Sequence, residues 1–140
     1  MRSPLGRRSA LTVLLVSVAL VTGCAPTTQP DPAFVSVVGD LISSGRSAEL
    51  GLTLDSDGRI LPGTLTTLLD DMETEMADSV RSLELAHTST KVDAEYRSDA
   101  LSIGRDALDA VHLAQQGHRS AALVSLARQL DELSQLEDGG

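Results

Sequence analysis

The sequence has 140 residues, with 20 acidic residues against 11 basic ones and a formal net charge of −9. Its only aromatic residues are Phe34 and Tyr96, which disfavours base-stacking nucleic-acid modules and aromatic-lined ligand pockets. Beyond residue 23 stand 8 basic and 20 acidic residues, a net of −12, on a stretch long enough for one modest core and too short for two domains, so nucleic acid is excluded as a partner by charge.

Arg2, Arg7 and Arg8 open the chain, an apolar run fills 10–22, and small residues follow. These are the three regions of a secretory signal, expected over residues 1–23. A helical run of that length covers about 20 Å, short of the ~30 Å hydrocarbon core, so it reads as a removable address and not as a permanent span. Directly after it, Val21-Thr22-Gly23-Cys24 resembles the lipobox of bacterial lipoproteins, and the use of ten Arg against the single Lys91 suggests the actinobacterial type. The resemblance implies cleavage before Cys24, diacylglycerol with its fatty acyl chains (palmitate is typical) on the Cys24 thiol, and membrane attachment on the extracytoplasmic face. Cys24 is the only cysteine, so no intrachain disulfide is available. Arg7-Arg8 also forms part of a twin-arginine pattern, without its bulky aromatic residue, so the export route stays open between the two systems.

Residues 24–31 hold the cysteine and a proline-rich polar tether. A helical domain is expected over 32–137, and a disordered tail over 138–140. Asp31 can cap a helix whose first position is Pro32, where a missing N–H costs nothing. Phe34, Val37, Val38, Leu41 and Ile42 then share one stripe, and Ser43-Ser44-Gly45 looks like its stop, so the first helix is predicted over 32–44. Residues 46–63 look irregular, with apolar runs flanking Asp55-Ser56-Asp57-Gly58, and fit a small hairpin or a lone turn at 52–61. The same letters partly match a calcium loop, with Asp55, Asp57, Gly58 and Ile60 in register. Thr53 and Thr64 fall where the strong end ligands belong, so that match is set aside.

From Pro62 to about Thr88, Leu65, Leu69, Met72, Met76, Val80 and Leu83 are spaced as one helix face. Thr90 with Asp93 resembles a capping box with Asp in place of Glu. A third stripe follows through Val92, Tyr96, Ala100, Ile103, Ala107, Val111 and Ala114, up to Gly117. A fourth, from about Ser120, carries Leu123, Leu126, Leu130 and Leu133. Short connections make successive helices antiparallel, and the predicted fold is all-α, a small up-and-down four-helix bundle.

The chemistry-bearing residues are few. Glu84 with His87 and Asp109 with His112 each follow the acid-x-x-His pattern of di-iron bundles. In an antiparallel pair turning near Ser89, however, the two histidines lie about 30 Å apart, too far to share an ion. The same register brings Asp70, Asp71 and Glu73 opposite the region of Asp106 and Asp109, near His112 and His118. A solvated acidic face explains that arrangement, and a site for a hard cation at Asp70, Asp71, Asp106, Asp109 and His112 is the alternative. Met72 and Met76 read as core fillers, since no third soft ligand accompanies them. No serine stands in Gly-x-Ser-x-Gly or Ser-x-x-Lys, glycine-rich phosphate loops are absent, and no cofactor is implied. The sequence therefore leads to a membrane-anchored, non-enzymatic helical interaction module whose partner is an unspecified envelope protein or component. A divalent-cation-binding or sensor lipoprotein is the alternative.

Overall fold

The computed structural model describes residues 29–139, so the export signal and Cys24 lie outside the described residues. Four helices follow one another as α1 (Pro32–Ser56), α2 (Pro62–Leu85), α3 (Lys91–Gln115) and α4 (Arg119–Asp138). No strand occurs among the described residues. Helices neighbouring in sequence pack together, α4 closes the ring against α1, and α1 also touches α3 across the diagonal.

The first helix is nearly twice as long as its apolar stripe suggests. Gly45 does not stop it, because the inner face continues through Phe34, Val38, Leu41, Gly45, Ala48 and Leu52, all buried. At Gly45 an added Cβ would collide with the Leu130 side chain of α4, and at Gly51 it would come within 2.5 Å of Leu68 on α2. These glycines are thus packing positions on which neighbouring leucines rest. The serines are absorbed as well: Ser44 Oγ donates to Glu75 on α2 at 2.8 Å, and Ser47 Oγ donates back to the Ser43 carbonyl at 3.1 Å. Of the two forms expected at 52–61, a small hairpin or a lone turn, the structure has the lone turn. Leu52 to Ser56 form the last turn of α1, and the chain turns at Asp57-Gly58, where Gly58 takes φ +65°.

The other three stripes match the structure more closely. Leu65, Leu69, Met76, Val80 and Leu83 are buried on α2, while Met72 is half-buried. On α3 the inner face is rich in small residues, with Ala100, Gly104, Ala107 and Ala114 buried. A Cβ on Gly104 would stand 2.8 Å from Leu41 of α1, so the absence of a side chain there allows the diagonal approach of α1 and α3. Leu126, Leu130 and Leu133 of α4 are fully buried, with Leu123 at the margin.

Helix ends follow local chemistry. The Asp31 side chain accepts from the Ala33 N–H at 2.8 Å and Pro32 takes the first helical position. The Thr90–Asp93 capping box is formed in both directions. α2 ends at Leu85, three residues before Thr88, and Arg97 donates to the Ala86 carbonyl at 2.7 Å just past its end. Gly117 takes φ +93° in the α3–α4 turn, and α4 runs to Asp138, one residue into the expected tail.

Candidate functional site

The acidic residues singled out in the sequence lie along α2 and α3, and their placement follows from how those helices meet. His112 Nε2 lies 2.9 Å from Glu73 Oε1, and Gln115 Nε2 donates to Glu73 at 2.8 Å and to Asp70 at 3.0 Å. Nearer the α2–α3 connection, Arg105 pairs with Glu84 at 2.6 Å. Asp70 and Glu73 therefore sit opposite Gln115 and His112, and not opposite Asp106 and Asp109. The two helices are displaced in register because α2 gives way at Leu85 to the non-helical stretch 86–90, so the pair does not pivot tightly at Ser89.

Asp109 stays within 3.9 Å of His112 Nδ1. Together with Asp106 it lines a groove that faces Ser125 and Arg128 of α4. Asp71 is exposed and enters none of these contacts. The five carboxylates thus do not converge on one point: Asp70 and Glu73 share Gln115, Asp109 approaches His112 from its own helix, and Asp71 stands apart. Among the described residues no group of three or more His, Cys, Asp or Glu is arranged to hold a metal ion. His87 is exposed beyond the end of α2, and His118 precedes α4 without a side-chain capping bond.

The Glu73 carboxyl is held below its ordinary range, chiefly by the hydrogen bond from Gln115 and then by the one to His112. The pairing joins α2 to α3 in the turn before Gly117. On the opposite edge, Arg46 joins α1 to α4 through Asp131 at 2.6 Å while also meeting Glu49 at 2.7 Å. Arg119 Nη1 donates to both oxygens of Asp55 at 2.8 Å, tying the start of α4 to the last turn of α1. Asp55, the first of the residues in the partial calcium-loop match, is therefore already engaged by a guanidinium.

At the other end of the bundle lies a contact that reading the helices one at a time does not reveal. Asp93 is buried, and its Oδ1 accepts the Asp31 N–H at 2.9 Å while its Oδ2 accepts the Thr90 N–H at 3.1 Å. The Asp31 N–H, followed by Thr90, lowers the Asp93 pKa. Beside this contact, Pro30 is buried and borders two shallow depressions of about 270 and 240 Å³, the second also lined by Tyr96 and Leu136. Tyr96 Oη and Gln129 Oε1 are buried without a hydrogen-bond partner among the described residues. Burial raises the Tyr96 pKa, and the nearby Glu137 adds to the effect. A wider groove of about 430 Å³ runs along α3 past Thr88, with Arg97 and Arg105 on its wall. Both arginines are spent on the Ala86 carbonyl and Glu84.

The fold places the molecule in the class of all-α four-helix bundles. The chain matches no known protein family, and no curated protein or solved structure matches it. No helix among the described residues is long and apolar enough to cross a membrane.

Proposed function

We infer that the protein is an extracytoplasmic lipoprotein, held at the cell membrane by lipid on Cys24, whose bundle serves as a non-enzymatic interaction module for an envelope component. The observation that carries this reading is Val21-Thr22-Gly23-Cys24, set directly after an apolar run and containing the only cysteine of the chain. Three of the carboxylates support it by what they do: Glu73 with His112, Asp55 with Arg119 and Glu84 with Arg105 each join one helix to another. In this role the bundle is a rigid, acidic body on a short anchor, suited to presenting a surface.

The test is partition between membrane and soluble fractions. With two acyl chains on Cys24 the protein is firmly held, while the acidic domain contributes no attraction to anionic lipid. Cys24→Ala is expected to move the protein into the soluble fraction after export. Retention of that variant on membranes, with the export signal removed, contradicts the reading.

A further inference from the structure

The chain enters the bundle at a fixed point. Pro30 is buried, the Asp31 N–H is held by Asp93 at 2.9 Å, and the Asp31 side chain caps α1. Asp93 belongs to the first turn of α3, so this point lies at the end of the molecule formed by the α2–α3 connection and the end of α4. The α1–α2 and α3–α4 turns are at the opposite end.

We propose that the bundle stands on the membrane by its α2–α3 end and presents the α1–α2 and α3–α4 turns outward. The proposal rests on the lipoprotein reading of Cys24 and adds an orientation to it. Six residues lead from Cys24 to Pro30, and at no more than ~3.6 Å each they reach about 22 Å whatever their conformation. The 24 residues of α2 extend about 36 Å at ~1.5 Å rise. The leash is thus shorter than the body it holds, and the far end cannot face the membrane while the near end is carried away from it. The remaining alternative lays the bundle on its side. That would press a body with 8 basic and 20 acidic residues against an anionic surface, and the repulsion favours the upright arrangement.

The experiment uses the full lipidated chain in vesicles of phosphatidylcholine and phosphatidylglycerol, with a fluorophore on Leu85→Cys or on Leu61→Cys. Leu85 ends α2 and is 80% exposed, while Leu61 precedes α2 and is 74% exposed, so neither change disturbs the core. A headgroup-level quencher is expected to act several-fold more strongly on the Leu85 label. Inserting ten Gly/Ser residues between Thr28 and Gln29 lengthens the leash to about 58 Å, beyond the length of the bundle, and should bring the two labels toward equal quenching. Equal quenching in the unextended chain, or a contrast that survives the insertion, overturns the orientation. A failed anchor shows itself separately: the protein would then stay off the vesicles and the Cys24 thiol would take up label, which sinks the lipoprotein reading and the orientation with it.

Discussion

Gly45→Ala probes the packing of α1 on α4 more sharply than any large truncation. In an exposed helix interior the change would stabilise by about 1 kcal/mol, since alanine is the better helix former. At Gly45 the added methyl overlaps Leu130 Cδ2 and stands 3.3 Å from both Cδ1 and Cγ. Leu130 is fully buried and cannot swing into solvent. Overpacking of this kind costs about 1–3 kcal/mol, and because the branch point of the leucine is crowded along with one methyl, the upper half of that range applies. The net expectation is a loss of about 1–2 kcal/mol, or on the order of 5–10 °C in Tm for a domain of this size. A glycine at a left-handed helix end would also resent alanine, so the single change is paired with Leu130→Ala. Alone, that truncation should cost about 2–5 kcal/mol by leaving a cavity. If the two side chains compete for one space, the double variant is less destabilised than the sum by about 1–3 kcal/mol. Urea or thermal denaturation of the four proteins supplies the cycle. Additivity to within ~0.5 kcal/mol would mean that Gly45 does not face Leu130, and the extension of α1 past Ser44 would have to be abandoned.

In contrast, Gly63→Ala places its methyl in open space and should stabilise by about 0.4–1 kcal/mol in the same denaturation assay, because it restricts the unfolded chain. Thr90→Ala removes one arm of the capping box and should cost about 1 kcal/mol, read from the shift of the urea midpoint. Asp93, whose pKa is lowered from its ordinary 3.8, contributes stability that is fully present above that value and lost as pH falls through its folded pKa. Melting temperatures measured down the acid limb should therefore decline less steeply in Asp93→Asn than in the parent, and parallel limbs would show that the carboxylate is not engaged. Leu69→Ala, at a position only 2% exposed on α2, should cost about 2–5 kcal/mol by chemical denaturation.

How far the sequence reveals the fold depends on what each helix uses as its inner face. α2 and α4 bury leucine, methionine and valine at regular spacing, and their stripes are plain from residue order alone. α3 substitutes alanine for many of these, yet Tyr96, Ile103 and Val111 keep the period visible. α1 hides its second half because Gly45, Ala48 and Gly51 carry the inner face where leucines of α2 and α4 need room. A glycine after two serines looks like a helix end when only local preferences are consulted, and tertiary packing overrides that preference here. Asp55 to Gly58 leaves a hairpin and a lone turn equally open for the same reason: the turn is real, but the apolar residues before it belong to a helix.

The candidate sites are legible residue by residue but not as pairs. Asp31 and Asp93 are each recognisable as caps, whereas their mutual hydrogen bond spans 62 positions and depends on how α1 and α3 come together. Likewise the spacing puts Glu73 and His112 in the same region, but the register that makes them partners is set by the non-helical residues 86–90, whose number and path no periodicity records.

Whether this bundle hangs from a lipid on Cys24 can be read by mass spectrometry of the full-length gene product extracted from membranes with detergent. The expected species is a chain that begins at Cys24 and carries a diacylglyceryl group on its thiol. A chain with a free Cys24 thiol, or with its N-terminus at another residue, would contradict that attachment.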